Sequence, residues 1–451
     1  MSISVDIAVL GAGMSGLCQT YYLRKRFPKA KIAVLEATNR VGGWVDTTHK
    51  EDFTFEQGPR GIRPKGKGQL VLELVKELGI WDELTFANDA AKIRYIYLGG
   101  KMEKFPSGVF SALASPLTKG LFAALVKDLS QKPANRADET FESFTKRHFG
   151  QNFADRLFDP MVSGIWGAQI SKLSIDAAMP ILKDFERNKG SVIKSFMGYK
   201  APDYGVQFDK AYTSKALFSF KNGMEVFTKA LQANIEEDLH LNASVEEITE
   251  ENESYKIVLK DGRIIYADKV ISTMPSFALS TSLKNSYAAL AGLLSEIPYA
   301  PMAIVSLAYD TDVNFDGFGF LIPSKEKRPI LGATANHRVF PAFAPKGKSC
   351  FTVMIGGAGF HDFESKTEKE FIAIAEQELG NYLKINTTPV HRFAKLIPKA
   401  IPQYNVGHLD LIKEIEQIQP KNFYISGNFN GGVSLIDIVM NAKKIASSIS
   451  F

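Results

Sequence analysis

Two apolar runs lie near the start of the chain: Ile7-Ala8-Val9-Leu10 and, after Lys31, Ile32-Ala33-Val34-Leu35. Short runs without a polar interruption predict strands covered on both faces. Between them, Leu17-Cys18-Gln19-Thr20-Tyr21-Tyr22-Leu23 predicts a helix. Residues 68–75 are apolar at helical spacing and close before Gly79. Residues 92–98 alternate as a strand, which Gly99-Gly100 turns. From about residue 101 to 204 strand signals thin out and helical ones dominate, as in the acidic start Asp138-Glu139-Thr140 before Phe141. Strands then return. Residues 241–248 predict one entering a hairpin, whose Asp261-Gly262 turn separates Ile257-Val258-Leu259 from Ile264-Ile265-Tyr266. A buried strand follows over 268–274 and stops at Pro275. Residues 302–309, 318–323 and 351–355 predict further strands, and 368–375 a helix. Residues 423–427 predict a last buried strand before a helix from Leu435.

Composition narrows this picture. At 451 residues the chain exceeds the usual single-domain size, so two or three domains are expected. A hydrophobic content of 45% with 23% charged residues suits a globular protein with a sizeable core. The net charge of +5 is mild for this length and gives no reason to invoke nucleic acid. Cys18 and Cys350 are too few for a disulfide framework, which points to a reducing compartment. The seven histidines are scattered, so no protein-bound metal is expected. A strand begins almost at once, without a basic n-region, so no signal peptide is expected. No apolar run approaches the length of a spanning helix.

Candidate chemistry begins between the first strand and the first helix. Gly11-Ala12-Gly13-Met14-Ser15-Gly16 fits G-x-G-x-x-G. The first glycine makes the tight turn, the second lets a pyrophosphate approach, and the third lets helix and strand pack closely. The pyrophosphate then meets the positive end of the helix dipole. Glu36 ends the second strand, where an acid binds ribose hydroxyls. Strand, loop, helix, strand and acid in this order predict a dinucleotide site.

The segments that follow carry a family resemblance. They are Arg40-Val41-Gly42-Gly43-Trp44 and Phe55-Glu56-Gln57-Gly58-Pro59-Arg60-Gly61-Ile62-Arg63-Pro64. Both resemble segments near the flavin in the FAD-dependent amine oxidase superfamily. The longer string resembles that superfamily's protoporphyrinogen oxidase family, which serves haem synthesis. Asp316-Gly317-Phe318-Gly319 with Leu321-Ile322-Pro323-Ser324 is similar to another segment of that family, as is Ile401-Pro402-Gln403-Tyr404 with Gly407-His408. One departure lies before the last helix, where the family often has an aromatic residue and an acid. This chain has Asn430 and Gly431 there.

The resemblance spans essentially the whole chain and implies an α/β fold. A Rossmann-type FAD-binding domain would take residues 1–90, 215–290 and 415–451. A mixed-sheet substrate domain would take 91–100, 205–214 and 291–414, and a mostly helical insertion 101–204. The implied cofactor is non-covalent FAD, held by Gly11, Gly13, Met14, Ser15, Gly16, Glu36, Ala37, Gly43, Trp44, Gly58, Pro59, Arg60, Gly61, Val245, Val433, Ser434 and Leu435. The implied substrate is a porphyrinogen. Phe318, Leu321, Leu331 and Met354 match positions that sandwich the macrocycle, and Arg94 matches the arginine that binds its carboxylate.

No side chain is assigned as catalytic, because the flavin accepts the hydride and the protein positions and tunes. Hydride loss from a porphyrinogen methylene leaves a cation delocalised into pyrrole rings, so no strong external base is demanded. The implied reaction is six-electron oxidation of protoporphyrinogen IX, with oxygen as acceptor. Coproporphyrinogen III is the alternative substrate. An amine oxidase or carotenoid desaturase would share the N-terminal loop and C-terminal turn, and a non-catalytic flavoprotein scaffold is the reading outside enzymes. Two readings stay open for residues 109–129: packing on their own protein, or lying on a membrane with Lys119 and Lys127 at headgroup level. The expected location is cytoplasmic, peripheral on the cytoplasmic face of a membrane in the second case. The oligomeric state is left open, a homodimer being one candidate.

Overall fold

The first strand runs over Ser2–Leu10 and its side chains divide between two cores. Ile7 and Val9 face a cluster with Val34, Leu17, Leu23, Phe227 and Val439. Ala8 and Leu10 face another with Leu35, Val270, Leu279, Ile415 and Phe429. The unbroken apolar run thus has a physical cause, since neither face of the strand meets water from Ile7 to Leu10, whereas its first residues are exposed. Each fully buried Val, Leu or Ile contributes roughly 1.5–3 kcal/mol. The computed structural model describes residues 2–450.

This strand sits in a seven-stranded sheet with Ile32–Leu35 and Leu239–His240 on one side and Ile264–Ser272 on the other. Phe423–Ile425 joins the C-terminal half of Ile264–Ser272, and these five strands run parallel. The expected hairpin closes the sheet, pairing Ser254–Leu259 with Ile264–Ser272, and Val245–Glu251 lies outside it. That outer strand starts later than the 241–248 pattern suggested. Asn242 takes a positive φ of 53°, which the extended ladder does not accommodate. The helix Met14–Arg26 packs beside the C-terminal helix Leu435–Ser448 on one face.

A second seven-stranded sheet is mixed. Its order is His391–Pro402, Tyr299–Tyr309, Ser349–Gly356, Gly332–Ala335, Gly319–Leu321, Arg94–Leu98, Lys101–Lys104. Gly319–Leu321 runs parallel to Arg94–Leu98, which brings residues 94 and 319 side by side. Two sequence boundaries shift here. Lys92 ends a 3-10 turn, Asp89–Lys92, rather than starting the strand. Lys101–Lys104 is a strand inside the stretch expected to be helical, because Gly99-Gly100 folds it back onto Arg94–Leu98. One sheet face packs on the helix Glu368–Leu383 through Val305, Leu307, Phe371 and Leu379. The opposite face carries Met302, Ile304, Met354 and Ile397.

Residues 109–197 form a series of short helices joined by irregular segments, with no strand, in line with the helical pattern of the sequence. Asp128 anchors Leu121–Leu129 from its buried side. Its carboxylate accepts from Ser191 Oγ and the N–H groups of Val192 and Ile193, and pairs with His148 Nδ1. Burial works against the charged form, but these partners hold Asp128 below the usual carboxylate range.

Candidate active site at the junction of a cleft and a cavity

The glycine loop and the helix after it open a cleft of about 820 Å³. Gly11 turns the chain at φ +98°, and the Thr273 hydroxyl clamps the turn by donating to the carbonyls of Leu10 and Gly11. A Cβ at Gly16 would lie 1.8 Å from Gly11 O, so that glycine serves helix packing. Gly13 differs. Its φ is −66°, and a Cβ there would find its nearest neighbour 3.8 Å away, at Gly43 Cα. The chain's own packing leaves room for a Cβ at 13, so its glycine suits a close-approaching ligand. No side chain caps the helix N-terminus, and its first turn holds no acid, which leaves free N–H groups for a pyrophosphate. Glu36 is held at the strand end by the N–H groups of Ala12 and Thr38, each 2.9 Å from a carboxylate oxygen.

Gly11, Gly13, Met14, Ser15, Glu36, Ala37, Gly43, Trp44, Pro59, Val245, Val433 and Leu435 all line this cleft. Gly16 does not, for the packing reason given. Ser434 does not either, because its hydroxyl caps the last helix by accepting from the Asp437 N–H. These residues fit FAD and would hold it. When bound, FAD supplies a hydride acceptor.

The turn before the last helix is braced by the Ile-Pro-Gln-Tyr segment. Tyr404 donates to Asn428 O at 2.7 Å and accepts from the Gly432 N–H at 3.1 Å. His408 stacks on Tyr404, with centroids 4.1 Å apart, and its Nε2 reaches Phe429 O at 2.9 Å. Burial pushes His408 down to about 4, so the ring is neutral and donates to that carbonyl. Gly432 has φ +119°, and a Cβ there would sit 2.6 Å from Asp437 Cγ. A larger residue could not replace it.

Trp44, Pro59, Asn428 and Val433 line both the cleft and a second cavity of about 670 Å³. Phe318, Leu321 and Met354 line this cavity together with Met302, Ile304, Ile397 and Ile165. Leu331 does not reach the lining and packs behind it in the cluster of Met302, Met354 and Ile401. Arg94 stands on the wall, its guanidinium carbon 4.9 Å from the Phe318 ring centroid. Partial desolvation, and then the nearby charge of Arg63, lower its pKa from the ordinary value. Gly58, Arg60 and Gly61 also line this cavity rather than the cleft, so Arg60 departs from its expected place. Burial pushes Arg60 down to about 10, opposed by Glu56, and its Nη1 has no protein partner. Burial pushes Glu56 up to about 7, against the pull of the Met224 N–H, Thr47 and Arg60.

Among the described residues that line this cavity there is no Asp, Glu, His or Lys. The sequence reading missed Met302, Ile304 and Ile397, which alternation alone cannot tell from plain core. It also missed Asn428 and Lys395, which fall outside the glycine-rich motifs.

Residues 14–436 match the profile of the flavin containing amine oxidoreductases. A protoporphyrinogen oxidase of Bos taurus is 30% identical over 98% of both chains. A coproporphyrinogen III oxidase of Staphylococcus aureus is 26% identical, again over 98% of both. Among solved structures, an Exiguobacterium protein superposes with a TM-score of 0.85 at 22% identity, covering 99% of each chain. A putrescine oxidase superposes with a TM-score of 0.74 at 16% identity, also covering 99% of each. The chain belongs to the flavin-containing amine oxidoreductase family and is an FAD-dependent oxidoreductase.

Proposed function

We infer that this chain oxidises a porphyrinogen, with protoporphyrinogen IX as its first substrate. The observation that carries the reading is the cavity's lining: apolar walls, the guanidinium groups of Arg60 and Arg94, and neither carboxylate nor base. A protonated amine would meet two cations and no anion there, which disfavours amine oxidation. A carotenoid would leave Arg94 without a partner. A flat apolar macrocycle with propionates uses both features. The relatives named protoporphyrinogen oxidase support the same reading.

In this reading Phe318, Leu321 and Met354 hold the macrocycle, and Arg94 fixes one edge by a propionate. The walls exclude water from the carbon that gives up hydride. No residue is needed to take a proton from that carbon, which agrees with a lining free of bases. Anaerobic mixing of the holoenzyme with protoporphyrinogen should bleach the flavin within the first turnover. An unbleached flavin, with a fast response to an amine instead, would reject the reading. The same mixing with coproporphyrinogen ranks the two porphyrinogens, since a relative named for coproporphyrinogen III also matches.

The exposed grease of the helical region supports contact with a membrane surface. Phe110, Phe122, Phe196 and Met197 are 90%, 78%, 72% and 83% exposed. Leu113 and Val126 are exposed as well. Lys194 Nζ donates to Leu129 O and ties the helix Val192–Met197 to Leu121–Leu129. The buried Asp128 cluster grips that pair from within and leaves the apolar side chains outside. Ile165 and Phe105, also exposed, line the apolar cavity itself. Among the described residues no helix is long and apolar enough to cross a membrane, so the contact would be peripheral.

A further inference from the structure

Gln57 follows directly on the strand Phe53–Glu56, and its amide bridges to the second sheet. Its backbone N–H donates to Asp46 O at 2.8 Å. Its side-chain Nε2 donates to Ser306 Oγ at 2.9 Å. Ser306 lies two residues past Ile304 on Tyr299–Tyr309 and so projects to the same face of the sheet. Ile304 lines the apolar cavity, and so does Gln57, which does not line the nucleotide cleft. Backbone and amide nitrogen are thus both tethered, which fixes the direction of the amide oxygen.

That oxygen is the unusual atom. Gln57 is buried, and its Oε1 has no hydrogen-bond partner among the described residues. Arg60 Nη1 is in the same position on the cavity lining, but it is a donor. A buried amide oxygen without a donor is destabilising, whereas leucine or methionine would fill the place without that cost. The glutamine therefore calls for a donor from outside the chain. Because Gln57 stands in the substrate cavity and not in the cleft, that donor belongs to the substrate.

We propose that Gln57 Oε1 accepts a hydrogen bond from a pyrrole N–H of the porphyrinogen, and so favours substrate over product in the cavity. The pyrroles of a porphyrinogen are joined by saturated methylenes, so each ring can tilt and turn its N–H outward. Full oxidation removes two of the four N–H hydrogens and flattens the macrocycle, with the remaining two directed at its centre. The product cannot reach Oε1 and leaves it unpaired. A site built to hydrogen-bond a donor discriminates against an analogue that lacks it. Gln57 is in this sense a positioning residue that also eases product release.

The test measures substrate and product separately on the holoenzyme. Anaerobic flavin bleaching over a series of protoporphyrinogen concentrations gives the dissociation constant of the substrate. Fluorescence anisotropy of protoporphyrin titrated with oxidised holoenzyme gives that of the product. Gln57→Leu should weaken porphyrinogen binding about fivefold to tenfold, the worth of one hydrogen bond, and bind protoporphyrin at least as tightly as wild type. Gln57→Met should do the same, and carries the test if leucine lowers the flavin content. Ser306→Ala keeps the acceptor and should weaken the porphyrinogen less than Gln57→Leu does. An unchanged porphyrinogen constant in the Gln57 variants overturns the proposal. Equal weakening of substrate and product overturns it too, because that pattern belongs to a displaced wall. The proposal rests on the porphyrinogen reading, yet the two fail differently. Wild-type flavin that protoporphyrinogen does not bleach rejects that reading, whereas normal bleaching in wild type and Gln57→Leu alike rejects the role of Gln57 alone.

Discussion

At the scale of single residues, Arg94 and Gly13 give the sharpest expectations. A guanidinium matches a carboxylate as a bidentate fork, so Arg94→Lys should keep part of the porphyrinogen activity and Arg94→Ala less. Losing such a contact costs about 1.5–3 kcal/mol, roughly one to two powers of ten in substrate affinity. The defect should appear in KM more than in kcat, with FAD content unchanged. Wild-type KM in Arg94→Ala would remove Arg94 from substrate binding. Gly13→Ala and Gly16→Ala should fail differently. The first has room in the protein itself and should yield folded apoprotein that does not retain FAD. The second collides with Gly11 O and should fail to accumulate as folded protein. Far-ultraviolet circular dichroism with flavin content separates the two. Both glycines were legible from their spacing, because each answers a steric demand that no other residue meets. Arg60 and Leu331 were not fully legible. Which wall a side chain faces depends on the bend at Gly58-Pro59 and on sheet packing, and neither leaves a periodic trace.

Among elements, the C-terminal turn links pH to cofactor retention. His408 titrates near 6.5 when unfolded and near 4 when folded. Between these values the unfolded chain binds more protons, so stability is fully present above pH 6.5 and is lost as pH falls through 4. The ceiling on this loss is about 3.5 kcal/mol, from the 1.4 kcal/mol that one unit carries. His337 is pushed down to about 4 by burial and loses stability in the same window. His408→Asn should flatten the denaturation profile between pH 6.5 and 4, and release FAD more readily at neutral pH. An unchanged profile would mean that this ring does not govern the turn. The helices that expose Phe110 and Phe122 make a second expectation at this scale. Phe110→Ser with Phe122→Ser should leave the protein in the supernatant of sedimented anionic vesicles, while wild type pellets even at high salt. Strands buried on both faces and the Asp261-Gly262 hairpin were readable because period and turn chemistry agree. The start of Val245–Glu251 and the short strand Lys101–Lys104 were not, since a left-handed residue and a tight fold-back set them.

For the molecule as a whole, the two sheets draw strands from distant parts of the chain and meet around Trp44, Pro59, Asn428 and Val433. Sequence motifs announced the nucleotide side of this junction, but the pairing of residues 94 and 319 that builds the other side is a property of topology alone. FAD should leave the chain on denaturation, since Cys18 and Cys350 are buried and line neither cavity. Colour remaining on the precipitated polypeptide would refute this. Trp44 has an optical consequence as well. Of the three tryptophans, Trp81 stacks on Phe208 and Trp166 is buried against Tyr404, while Trp44 remains 39% exposed at the junction. Its fluorescence in apoprotein should form a red-edge component that the other two lack. Flavin and porphyrin both absorb across that emission, so filling either cavity should darken the component by energy transfer. Trp44→Phe should remove it beforehand, making one indole a dye-free gauge of occupancy on both sides of the hydride path.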